Sequence, residues 1–82
     1  MEHRMKDLAE CIECVAKGLV DNPDEVRVSI QDGENTVQLH VAPDDLGKVI
    51  GKNGRTAEAL RTILAAAARK HGLDCRLDIM EN

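Results

Sequence analysis

Residues 46–56 read Leu-Gly-Lys-Val-Ile-Gly-Lys-Asn-Gly-Arg-Thr, and this stretch restricts the fold more than any other part of the chain. Gly51 and Gly54 bracket Lys52 and Asn53. Val49 and Ile50 lead in, and Arg55 opens a segment with helical spacing. The pattern predicts two helices that meet at a turn too tight for side chains at its ends. Such a turn can lay backbone N–H groups and a lysine against a sugar-phosphate chain, because the following helix starts with unpaired donors. Whether it does so depends on the scaffold that the other residues build.

That scaffold is legible from periodicity. Met5, Leu8, Ile12, Val15, Ala16 and Leu19 recur at three- and four-residue steps, with Lys6, Glu10, Glu13 and Lys17 opposite, which predicts an amphipathic helix over 5–20. Asp21-Asn22-Pro23-Asp24 ends it, since the residue before a proline resists the helical conformation. Val26, Val28 and Ile30 alternate with polar residues, as do Val37, Leu39 and Val41. With a turn at Asp32-Gly33-Glu34-Asn35, these are two half-buried strands of an antiparallel hairpin. Pro43, Asp44 and Asp45 suit the first turn of a short helix that runs to about Ile50. The longest helix spans 55–71, with Thr56, Leu60, Ile63, Leu64, Ala67 and His71 on one face, and Gly72 stops it. Leu73, Cys75, Leu77 and Ile79 alternate as a third strand. The order α-β-β-α-α-β predicts an α+β fold. The last strand crosses back parallel to the second, giving a three-stranded mixed sheet covered on one face by helices. The connections are short throughout, so residues 1–82 read as one domain.

Composition narrows the possible functions. The chain has no Phe, Tyr or Trp, so its core is aliphatic and base stacking on aromatic platforms is excluded. The net charge of −4 argues against indiscriminate nucleic-acid binding. The charge is unevenly spread, however. Residues 1–45 hold 4 Lys/Arg against 11 Asp/Glu, whereas residues 46–82 hold 7 against 4, so the basic excess begins at the glycine turn. No apolar run approaches the length of about 18 residues that crosses a membrane, and the first residues lack a signal-peptide core. An odd count of three cysteines fits a reducing compartment, so a cytoplasmic protein with no membrane partner is expected.

The element order, with Gly-Lys-Asn-Gly between the second and third helices, resembles a type II KH domain. Val49-Ile50-Gly51-Lys52-Asn53-Gly54-Arg55 matches the KH signature Ile-Gly-x-x-Gly. Leu19-Val20-Asp21-Asn22-Pro23-Asp24 and the segment from Val41 to Lys52 are similar to the small single-KH bacterial proteins of the KhpA family. The resemblance covers nearly the whole chain. It implies a cytoplasmic RNA-binding protein of a family regarded as RNA chaperones, acting with a larger KH/R3H partner, KhpB, and linked to cell-wall and cell-shape control. It further implies that Gly51, Lys52, Asn53, Gly54 and Arg55 clamp single-stranded RNA, with Lys48 nearby and Leu46, Val49 and Ile50 as an aliphatic floor under the bases. The family often carries a second basic residue inside the loop, where this chain has Asn53.

Other motifs lead nowhere. Gly47-Lys48-Val49-Ile50-Gly51-Lys52-Asn53 has the wrong spacing for a nucleotide-binding loop, and Asn53 stands where a Ser or Thr is required. Cys11 and Cys14 form a CxxC in mid-helix, without the helix-start position that activates redox thiols and without further ligands for zinc. His3, His40 and His71 share no element. No metal, cofactor or catalytic site is expected. Ala59, Thr62 and Ala66 line one edge of the long helix and permit close helix approach, so a second reading is a protein–protein adaptor that dimerises, with little RNA affinity of its own.

Overall fold

The computed structural model describes every residue except Met1, Asp32 and Glu34, and only the main chain of Glu2 and His3. The elements run α1 (Glu2–Leu19), β1 (Arg27–Gln31), β2 (Thr36–Val41), α2 (Leu46–Ile50), α3 (Arg55–Lys70) and β3 (Arg76–Glu81), with single 3-10 turns at Pro23–Glu25, Pro43–Asp45 and Lys52–Gly54. The sheet order is β1-β2-β3. β1 pairs antiparallel with β2, and β2 pairs parallel with β3. This is the α+β architecture expected from the sequence, including the parallel return of the last strand. The expected turn at 32–35 falls partly on residues outside those described.

β2 is the centre of the molecule because its inward residues are the most completely covered. Val37, Leu39 and Val41 are buried beneath Leu8, Ile12 and Ala16 of α1 and Leu60, Leu64 and Ala68 of α3. Leu77 closes the core from β3, and Val49 closes it from α2. Aliphatic side chains, joined by Met5 and Cys75, fill this volume, as the missing aromatics require. The other face of the sheet carries a polar ladder. Ser29 Oγ donates to Gln38 Oε1 (3.2 Å), and Gln38 Nε2 donates to Gln31 Oε1 (3.2 Å).

Several faces are rotated from the expected ones. On α1 the buried stripe is Met5, Leu8, Ala9, Ile12 and Ala16, while Val15 and Leu19 are exposed. On α3 it is Ala57, Leu60, Leu64 and Ala68. Ile63 is 50 % exposed, and His71 is exposed at the helix end. The narrower stripes follow from a two-layer fold, in which each helix meets the sheet on one side and water on the other. Ile30 is exposed because β1 is an edge strand that α1 covers only in part. Leu73 and Cys75 are buried but lie in the connection before β3, whose ladder starts at Arg76. Gly72, at φ 73°, closes α3 as expected: Leu73 N–H reaches the Ala68 carbonyl (2.9 Å) and Gly72 N–H reaches that of Arg69 (3.0 Å).

This arrangement sets where the glycine turn lies. β2 delivers the chain from Val41 into α2 at one end of the sheet, and Asn82, just after β3, donates its N–H to the Val41 carbonyl there (2.8 Å). α2, the turn and the first residues of α3 form the corner at that end.

Candidate nucleic-acid interface

The corner owes its shape to three residues with positive φ. Gly51 sits at φ 78°, ψ 174°, a region essentially closed to residues with a Cβ. Asn53 (φ 57°) and Gly54 (φ 75°) follow in left-handed conformations, which asparagine tolerates and glycine adopts without cost. Gly54 N–H donates to the Gly51 carbonyl (3.1 Å), and Arg55 N–H caps the turn on the Lys52 carbonyl. A Cβ built on Gly51 would overlap the Thr56 side chain and lie 2.9 Å from the Thr56 nitrogen. The missing side chain at 51 therefore makes room for the first turn of α3, the tightness expected of this end of the turn. At Gly54 a Cβ would meet nothing within 4 Å, so the positive φ alone accounts for glycine there.

Lys52, Asn53 and Arg55 are exposed. Among the described residues neither Lys52 nor Arg55 belongs to an ion pair. α3 runs 16 residues from this point, so the positive end of a long helix dipole and two cations lie at one corner. Such a surface favours an anion.

The aliphatic floor divides. Leu46 and Ile50 are partly exposed beside the turn, but Val49 has no accessible surface and belongs to the core. Val49 cannot meet a base and is corrected to a support for the two residues that flank it.

Lys48 has other partners. Its Nζ lies 3.1 Å from Asp21 Oδ2 and 3.8 Å from Asp45 Oδ1. The hydrogen bond and charge of Asp21 push its pKa up, aided by Asp45 and against partial desolvation. Its charge is committed to carboxylates, unlike that of Lys52.

Sequence reasoning missed the role of Asp45. The residue was read as a helix-start carboxylate, yet it is 1 % exposed. Its Oδ1 accepts from Asp21 N–H (3.1 Å), and its Oδ2 accepts from Asn22 N–H and Asn22 Nδ2 (both 3.0 Å). Burial works against its ionisation. The hydrogen bonds from Asp21 and Asn22 and the charge of Lys48 outweigh burial and hold the carboxyl below its ordinary range. Asp45 thereby ties the α1–β1 connection to the base of α2, which carries the turn. The only sequence signal was an acidic residue two positions after Pro43, which is also what an ordinary helix start looks like.

Residues 9–79 match the family model described as the KH domain of KhpA/KhpB. The chain belongs to the KhpA/KhpB family of KH domains. It is 54 % identical over 79 residues to the RNA-binding protein KhpA of Aquifex aeolicus, covering 94 % of this chain and all of that one. It is 53 % identical over 72 residues to the RNA-binding protein KhpA of Halalkalibacterium halodurans, covering 85 % and 95 % of the two chains. The RNA-binding protein KhpA of Mycobacterium bovis is 46 % identical over 76 residues, 90 % of this chain and 91 % of that one. No solved structure matches the chain significantly. The family is non-enzymatic, in keeping with a sequence that offers no catalytic constellation. Among the described residues no helix is long and apolar enough to cross a membrane.

Proposed function

We propose that the chain, acting as one KH unit over residues 1–82, binds single-stranded RNA through the turn Gly51-Lys52-Asn53-Gly54 and the start of α3. The observation that carries this reading is the exposed corner itself. Lys52 and Arg55, two cations outside every ion pair of the described residues, stand there at the positive end of a 16-residue helix. Sugar-phosphate would lie along the turn, and Leu46 and Ile50 would sit beneath the bases. Relatives at about half identity bear the name RNA-binding protein KhpA, which supports the same ligand class. By the family resemblance the protein works in the cytoplasm as an RNA chaperone or post-transcriptional regulator with a KhpB-like KH/R3H partner, in cell-wall and cell-shape homeostasis.

The test is the salt dependence of RNA affinity. Three or four phosphate contacts on single-stranded RNA give a slope of log K against log salt of about −2 to −3. A slope near zero would exclude phosphate clamping.

One observation favours an added role in assembly. Ala59, Thr62, Ile63 and Ala66 form an exposed, weakly polar face on α3, with Ile63 half uncovered. A second copy, or the KH domain of a larger partner, would cover it. Light scattering with and without RNA tests this, and a strict monomer under both conditions would reject homodimerisation.

A further inference from the structure

The turn carries a chemistry of its own. Asn53 is followed by Gly54, so no side chain shields the main-chain nitrogen next to its amide. Asn53 is exposed, and its amide enters none of the side-chain hydrogen bonds among the described residues. The space where a Gly54 side chain would stand is open, with nothing within 4 Å. The other three asparagines are guarded. Asn22 precedes Pro23, whose nitrogen has no proton to give, and its own Nδ2 is bound to Asp45 Oδ2 (3.0 Å). Asn35 precedes the branched and buried Thr36, and its carbonyl is held by Arg76 N–H (3.0 Å). Asn82 has its side chain fixed at both ends, by the Glu25 carbonyl (2.9 Å) and by Arg27 Nη2 (3.0 Å).

The charges of the corner act on this pair as well. Gly54 is the residue from which α3 starts, with Lys52 before it and Arg55 after it. If the Gly54 nitrogen attacks the Asn53 amide, negative charge develops first on that nitrogen and then on Asn53 Oδ1. Two cations and the positive end of a helix dipole stabilise both charges. The field that suits a phosphate therefore suits ring closure. The brake is a hydrogen bond, from Gly54 N–H to the Gly51 carbonyl (3.1 Å). At φ 57° and ψ 25° Asn53 must rotate about its Cα–C bond to bring the nitrogen onto Cγ, which breaks that hydrogen bond. Gly54 has the backbone freedom to follow. Each opening of the turn exposes the pair, and a strand seated on the turn would hold it closed.

We propose that Asn53 is a site of spontaneous deamidation, and that the reaction lowers the RNA affinity of the corner as the protein ages. The proposal rests on the RNA reading above and deepens it by giving that site a chemical lifetime. The Gly54 nitrogen gives its proton to a solvent base and attacks Cγ of Asn53. The Cγ–Nδ2 bond breaks, and the amide nitrogen leaves as ammonia with a proton from water. Water then opens the cyclic imide at either carbonyl. Opening at Cγ leaves aspartate, and opening at the main-chain carbonyl leaves isoaspartate, whose main chain runs through Cβ. Water is the only co-reactant. Either product sets a carboxylate between Lys52 and Arg55, and isoaspartate also lengthens the main chain inside the turn.

The full chain is kept in mildly alkaline buffer for several days, with and without a saturating single-stranded RNA of random sequence. Asn53→Gln, whose amide closes a larger ring more slowly, is kept beside it and checked for folding by its thermal transition. Fragmentation of Glu-C peptides reads the exchange of the amide for a carboxyl at each asparagine. Anion exchange separates the deamidated chain, and fluorescence anisotropy measures its affinity for the same RNA. Asn53 should react before the other three asparagines, and bound RNA should slow it. The deamidated chain should bind about fivefold more weakly, the effect of one like charge about 4 Å from a phosphate in water. Its slope of log K against log salt should be flatter by about 0.7, the share of one phosphate contact on a single strand. Asn53→Gln should keep its own starting affinity over the same period. An Asn53 as intact as Asn22 and Asn35 would overturn the proposal and leave the RNA reading standing. Equal affinity of the deamidated and parent chains would overturn it too, and would move the RNA contact away from residue 53. The same decline in Asn53→Gln would assign the ageing to another cause. Failure of the fresh chain to bind RNA would remove the RNA reading and the affinity effect together, and the peptide masses would show separately whether the chemistry occurs.

Discussion

The residues that shape the corner and those that would touch RNA are different residues. Gly51 is needed by Thr56 whether or not RNA is present. Gly51→Ala should therefore destabilise the protein by about 1–3 kcal/mol in urea unfolding, the cost of a side chain in a region nearly closed to it. A variant as stable as the parent would show that the turn relaxes without cost. Asp45 is the other residue with a purely internal task. Its folded carboxyl titrates below the unfolded value, so its contribution to stability is complete at neutral pH. The contribution fades as pH falls through the unfolded value toward the folded one. Asp45→Asn should lower the melting temperature at pH 7 and flatten the loss of stability between about pH 5 and pH 3. An acid limb as steep as the parent's would assign that loss to other carboxylates. Lys48 tests the division between internal and RNA-facing cations. Because Asp21 and Asp45 hold its charge, Lys48→Ala should weaken RNA binding less than Lys52→Ala, and the reverse order would mean that phosphate displaces Asp21.

At the scale of elements, the two branched residues at 63 and 64 separate what periodicity reveals from what packing decides. Both fall on the apolar arc of α3, but Leu64 is buried and Ile63 is half exposed. Leu64→Ala should cost about 2–5 kcal/mol and Ile63→Ala less than about 0.5 kcal/mol in a dilute monomer, read from urea midpoints. Equal costs would contradict the orientation of the helix. Element types and order were legible because each apolar run keeps one period: Val37, Leu39 and Val41 could only be a strand, and Gly72 could only be a stop. The parallel return of β3 followed from the need for a helical crossover between parallel strands. The width of each buried face was not legible, since a helix on one side of a sheet hides fewer positions than its apolar residues could fill. The same limit applied at the site. The turn and its cations were readable from Gly51 to Arg55. The removal of Val49 into the core, the capture of Lys48 and the burial of Asp45 all depend on which segments pack together across more than twenty residues of chain.

Over the whole molecule, the ion pairs among the described residues take up Lys17 and Lys48. Asp21 and Asp45 neutralise Lys48 on the α1 side of α2, and Glu13 pairs with Lys17 within α1 (3.0 Å). Lys52 and Arg55 keep their charge at the turn. In a chain with a net charge of −4, a contact made by two cations at one corner accounts for both the modest salt slope expected and the value of a partner that adds a second site. The central claim is that this corner is the RNA contact. Its most direct measurement is the RNA affinity of Lys52→Asp combined with Asn53→Asp, in a protein whose thermal transition matches that of the parent. Binding should disappear, because two carboxylates then face the phosphates without disturbing the core. An unchanged affinity in the folded double variant would contradict the claim.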